Sequence, residues 1–183
     1  MKRRNITVAT AALVIFASRC SGCVSTTEKT PENTTENTTE KTMTLSAFAE
    51  NNNASVGNIG TAYIYDSDSG EDSMSVVSIT THEKFKDEAI GNDEYNNAIV
   101  IEFTGNGSTA EKLTSKVYDK DGNEITNSSA RIFGIPTTSK NYLMFYTDNS
   151  TDTSLTGAKY ILIDGFNTSK NNGKSKIVFE LVK

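Results

Sequence analysis

The sequence predicts an all-β fold: two antiparallel sheets packed as a sandwich of about eight strands. Three observations predict it. From Thr61 onward, runs of apolar, β-branched or aromatic residues recur roughly every ten to twenty residues, with turn residues between them. Within several runs apolar and polar residues alternate with period two, as in a strand with one dry face. Helical character is confined to one short stretch, Glu83 to Ile90, which Gly91 would end. Strands without helices pack sheet on sheet. A closed antiparallel barrel is the alternative.

The first residues form an address. Met1-Lys2-Arg3-Arg4 is basic, and Ile6 to Ala17 is apolar except for Thr7 and Thr10. Twelve residues are too few to span ~30 Å of hydrocarbon, which needs about 20. They match the apolar region of a secretory signal peptide, expected here over residues 1–22. Arg3-Arg4 also invites the export route for prefolded proteins, but Asn5-Ile6-Thr7 supplies only half of that motif, so the general route is favoured. Ser21-Gly22-Cys23 resembles the end of a prokaryotic lipoprotein signal, in which small residues precede a lipidated cysteine. Cys20 stands where that family carries Leu, Val or Ile. The resemblance implies lipidation at Cys23 and a membrane anchor. Both cysteines of the chain lie here, so Val24 to Lys183 can form no disulfide. Two acyl chains would hold the protein on a membrane, whereas one holds only marginally.

Residues 23–44 read as a disordered tether. Ser25 to Thr44 is Thr, Glu, Asn and Lys with almost nothing apolar, and cannot bury enough area to offset its ordering entropy. Four Glu against Lys29 and Lys41 make it self-repelling. Fully stretched, these twenty residues reach at most about 70 Å. Asn33, Asn37, Asn53, Asn106, Asn127, Asn149 and Asn167 each begin a glycosylation sequon. Chance in so Asn- and Thr-rich a chain already gives about four.

Residues 45–183 remain as one domain of a size that suits a single core. Strands are expected at Thr61–Tyr65, Met74–Thr81, Ala98–Thr104, Leu113–Tyr118, Ala130–Ile135, Tyr142–Thr147, Lys159–Asp164 and Lys176–Val182. Asp121-Gly122 signals a hairpin from Lys116–Tyr118 to Glu124–Thr126. Ile99-Val100-Ile101 and Ile161-Leu162-Ile163 are continuous, as in strands covered on both faces or near a sheet centre. Alternation assigns Ile101, Phe103, Val117, Phe145, Ile161, Ile163, Phe179 and Leu181 to the core. Asn97-Ala98-Ile99-Val100-Ile101-Glu102-Phe103-Thr104-Gly105-Asn106-Gly107, followed by Val117-Tyr118-Asp119-Lys120-Asp121-Gly122, resembles the immunoglobulin-like, telokin-like domains of many bacterial and archaeal lipoproteins. The resemblance implies an immunoglobulin-like sandwich on a lipidated stalk and brings no catalytic residues. The Cys–Trp–Cys core of antibody domains is missing, since the chain has no Trp.

Composition excludes several function classes. Hydrophobic residues are 36 %, charged 22 %, and the net charge is −5. Neither collagen, a long coiled coil nor a polytopic membrane protein has this make-up. An acidic chain repels phosphate backbones, which argues against nucleic acid as a partner. His82 is the one histidine. Nucleophilic catalysis often uses such a base, but no Gly-x-Ser-x-Gly accompanies it. Asp66-Ser67-Asp68-Ser69-Gly70-Glu71-Asp72 is the best metal candidate, because oxygen ligands at alternate positions suit Ca²⁺. Asp66, Asp68 and Asp72 would be the ligands. The plainer reading is an acidic hairpin loop. Asp66 to Glu94 carries nine acids against two lysines, a net −7, and Lys159 to Lys183 a net +3. Together these features lead to a non-enzymatic extracytoplasmic lipoprotein without a required cofactor. It would be held on the membrane by its lipid, with an unidentified protein or carbohydrate partner. The alternatives are a small secreted hydrolase using carboxylates or His82, and a calcium-dependent adhesion or solute-binding module.

Overall fold

Nine strands, two short helices and two 3-10 turns make up the described part of a computed structural model, residues 42–91, 93–135 and 140–182. The signal peptide, Cys23 and nearly all of the tether lie outside these residues. The strands are β1 (Ala54–Val56), β2 (Ala62–Ser67), β3 (Gly70–Phe85), β4 (Tyr95–Gly105), β5 (Thr114–Asp119), β6 (Ser129–Ile135), β7 (Lys140–Thr147), β8 (Ala158–Asp164) and β9 (Lys176–Glu180). One sheet has the order β1-β9-β8-β5 and the other β2-β3-β4-β7-β6. Each expected run is a strand, and the two sheets pack face to face as an all-β sandwich. All pairings are antiparallel except β1 with β9, which is parallel. A three-residue strand between Asn51-Asn52-Asn53 and a Gly-containing turn leaves too little pattern to be read in advance.

The core between the sheets obeys the period-two rule. Ile101, Phe103, Val117, Phe145, Ile161, Ile163, Phe179 and Leu181 are all at most 3 % exposed and belong to one cluster. The continuous apolar runs are covered on both faces, because segments of the chain also lie over part of each outer sheet face. Val100 lies outside the core under a separate cluster with Tyr95, Ala98 and Met144, against which Ile90 packs from the 3-10 turn Glu88–Ile90. Leu162 and Val178 lie on the other outer face beneath helix α1 (Leu45–Asn51). Thr44 caps this helix by accepting the Ala47 N–H, and Phe48 stacks on Tyr160 with ring centres 4.5 Å apart. Met43 joins the same fold, since its carbonyl accepts the Tyr160 hydroxyl.

Local departures from the expected elements have identifiable causes. The stretch Glu83–Phe85 continues β3 instead of starting a helix; only Glu88–Ile90 turns, capped by the Asp87 carboxylate and followed by Gly91. Asp121-Gly122 makes its turn, but the return is one bridge, Tyr118 to Glu124, and not a second strand. Asp119 takes up the turn's donors instead: its carboxylate accepts the N–H groups of Asp121 and Asn123 and the Asn123 amide. Helix α2 (Gly107–Ala110) follows β4 directly. Gly105, at φ 139°, makes that exit possible, because a Cβ there would sit 2.1 Å from the Ser73 carbonyl oxygen.

Candidate functional site

The three aspartates expected to hold calcium are not brought together. Ser67 pairs with Gly70, so Asp68-Ser69 is the two-residue loop of the β2–β3 hairpin. Tyr65 lies opposite Asp72 and Asp66 opposite Glu71. Facing residues share a sheet face, and successive residues alternate. Asp72 therefore points to the inner face with the buried Tyr65, while Asp66 points out with Glu71. Asp66 accepts the Asn167 amide at 2.8 Å, and Asp68 pairs with Lys112 at 2.5 Å. Among the described residues no three His, Cys, Asp or Glu side chains gather to hold a metal ion. As placed, the three carboxylates do not form the ligand set their spacing suggested, because alternate positions across a hairpin turn fall on opposite faces.

His82 is placed in β3 with its ring engaged. Its Nε2 lies 2.9 Å from the Thr80 hydroxyl, and its ring centre is 4.9 Å from that of Phe85. Among the described residues no carboxylate contacts it by hydrogen bond or ion pair. A general base needs an orienting partner as well as a nucleophile within reach; the Thr80 hydroxyl is within reach, but among the described residues no carboxylate orients the ring.

His82 itself lines a cleft of about 290 Å³. Ala98, Ile99 and Leu155 give it apolar walls, and Thr81, Glu83 and Asn97 contribute to its rim. Asn97 positions this region. It adopts a left-handed backbone (φ 47°) where the β4–β7 register shifts. Its amide donates to the Asp152 carbonyl at 2.6 Å, tying the following turn to β4. The Asp152 carboxylate accepts the Ser154 N–H at 2.8 Å, which holds that carboxyl below the usual range and starts the 3-10 turn that places Leu155.

Beside the cleft the sheet has an open edge. β3 runs for sixteen residues, but β2 pairs only with its Gly70–Ser75 portion. The Gly60 N–H closes on the Val76 carbonyl at 2.7 Å. Beyond it, Val77–Phe85 has β4 on one side and, among the described residues, no strand on the other. A bulge falls between Val76 and Ser78, and Val77 is 45 % exposed. Sequence reasoning found the strand but not its edge, because run length shows how long a strand is and not how far its neighbour extends.

The loop that follows β3 is fastened across the sheet. The Tyr142 hydroxyl donates to Asp87 Oδ2 at 3.1 Å. Burial, reinforced by that carboxylate, pushes the Tyr142 phenol up to about 12. No family model, no curated protein and no solved structure matches this chain. The likeness to telokin-like domains therefore rests on its own residues alone.

Proposed function

We propose that the chain is a non-enzymatic extracytoplasmic lipoprotein whose sandwich serves as a binding module. Cys23 carries the lipid, residues 23–44 form the tether, and the domain meets a partner clear of the membrane surface. One observation carries the binding role. Parts of both outer sheet faces are covered by the protein's own segments, whereas among the described residues the β3 edge and the apolar cleft beside it stay open. The hydrolase alternative, using carboxylates or His82, has the Thr80 hydroxyl beside the ring and Glu83 in the same cleft, but among the described residues no carboxylate bonded to His82. The calcium alternative needs a converging ligand set, which the described residues do not present.

Detergent phase partition of the protein expressed in its host tests the anchor. The natural form enters the detergent phase, and Cys23→Ser stays aqueous or unprocessed. Equal partition of the two forms overturns the anchor. Hydrolysis of a chromogenic ester or glycoside that disappears in His82→Ala would overturn the non-enzymatic reading.

A further inference from the structure

We propose that the open β3 edge, Val77–Phe85, takes an extended polypeptide segment of the partner as an added strand, with an apolar side chain in the adjoining cleft and basic residues on its flanks. The proposal rests on the binding-module reading and names the chemistry of the partner. Nine residues at about 3.3 Å each give an edge of about 30 Å, longer than a typical strand needs. Val-Ser-Ile-Thr-Thr at its start is rich in the β-branched residues that favour extended backbone. An edge of this kind presents unpaired N–H and C=O groups, and strand addition satisfies them while side chains supply selectivity. The cleft lies at the lower end of the volumes that hold small-molecule ligands, which run from about 300 Å³. It suits one anchoring side chain.

Charge selects among the occupants. From Glu83 to Glu94 the chain carries Glu83, Asp87, Glu88, Asp93 and Glu94 against Lys84 and Lys86, a net −3. Lys84 is already paired with Glu94 at 2.6 Å. Complementary basic residues on the incoming segment speed encounter and fix register. The chain's own tether has four Glu against two Lys and so lacks the basic complement. A second copy brings an identical stretch of net −3, which offers no basic excess to the acidic end.

The test uses the full chain in detergent micelles with three blocked octapeptide probes. The first alternates threonine and leucine with lysine at both ends. The second has glutamate in place of lysine, and the third has proline at the centre. Hydrogen exchange should show the lysine-ended peptide protecting amides within residues 77–85. At low salt the glutamate-ended form should bind about tenfold or more weakly, and the proline form should give no protection, since proline cannot donate to the ladder. Glu83→Lys should weaken the lysine-ended peptide about tenfold at unchanged melting temperature, because Glu83 is exposed. Absence of protection at 77–85, or protection elsewhere, overturns the proposal. So does a dimer in sedimentation with 77–85 already protected, since a second copy then fills the edge. Detergent partition is independent of every peptide result, so failure here leaves the anchor standing or falling on its own measurement.

Discussion

Tyr142 illustrates what a single side chain contributes and what the sequence conceals. It faces out from β7, half-buried, and its hydroxyl reaches Asp87, fifty-five residues earlier. Burial and the accepting carboxylate raise its phenol from 10.0 to about 12, so the folded state keeps a proton that the unfolded chain releases above pH 10. The sign follows: this contribution is complete below about pH 10 and is lost as pH rises towards 12. Tyr142→Phe should therefore cost about 1 kcal/mol at pH 7 through the lost hydrogen bond. It should also flatten the fall in urea midpoint between pH 10 and 12. Tyr65, Tyr95, Tyr118 and Tyr160 are raised as well, with burial the leading cause in each, so the decisive quantity is the difference in slope between variant and parent. Identical slopes would show that the pairing with Asp87 does not couple to folding. Core residues were legible because strand period alone sets their direction; Ile101 and Phe103 needed no knowledge of the partner strand. Tyr142 with Asp87 was not, since nothing local in sequence brings a loop carboxylate over a distant strand. The same limit applies to Asp66, Asp68 and Asp72, whose spacing looked like a ligand set until the hairpin turned them onto different faces.

At the scale of elements, α1 is the piece that periodicity could not reveal. Seven residues make barely two turns, and short helices are marginal without tertiary packing. Its packing is substantial: Phe48 is 1 % exposed, stacked on Tyr160 and edge-on to Tyr118 at 5.0 Å. Truncation by Phe48→Ala should destabilise the domain by about 3–5 kcal/mol in urea denaturation. A loss below about 1 kcal/mol would mean that α1 docks outside the cooperative unit. The helix also explains why Val178 is as dry as its neighbours Ile177 and Phe179, although alternation turns it to the opposite sheet face. Beyond the end of β9 nothing of that kind holds, and Val182 is 91 % exposed. The run Met74–Thr81 located β3 but underestimated both its ends, because Gly70–Ser73 is polar enough to read as loop and Glu83–Phe85 read as the start of a helical turn. Those ends hold the hairpin register and the open edge, so the candidate site lies where hydrophobic pattern gives least guidance.

Across the whole molecule, charge is distributed differently from its order in the chain. The Asp66–Glu94 stretch is a net −7 in sequence, yet lysines from distant segments meet it in space. Lys112 pairs with Asp68, and Lys170 with Glu71 at 3.6 Å, while Lys84 pairs with Glu94 within the stretch. On the basic side Lys159 pairs with Glu180 at 2.6 Å, and that hydrogen bond raises the ammonium above its ordinary range. Exposed pairs of this kind contribute roughly 0–1 kcal/mol each and weaken with salt. They relieve the repulsion that a bound divalent ion would otherwise relieve. Ca²⁺ and Mg²⁺ at equal ionic strength should therefore shift the melting temperature alike, and a chelator should leave it unchanged. A specific site behaves otherwise: it stabilises the folded state by RT ln(1 + [L]/Kd), about 2.7 kcal/mol at a hundred times Kd. Such a site would favour Ca²⁺, because Mg²⁺ demands a small octahedral cage and keeps its waters. A Ca²⁺-selective rise that Asp68→Asn removes would show that the hairpin tip rearranges, giving up Lys112 to gather its carboxylates around the ion. Equal response to both ions leaves Asp68 paired with Lys112 and the acidic stretch as the field that draws a basic partner towards the β3 edge.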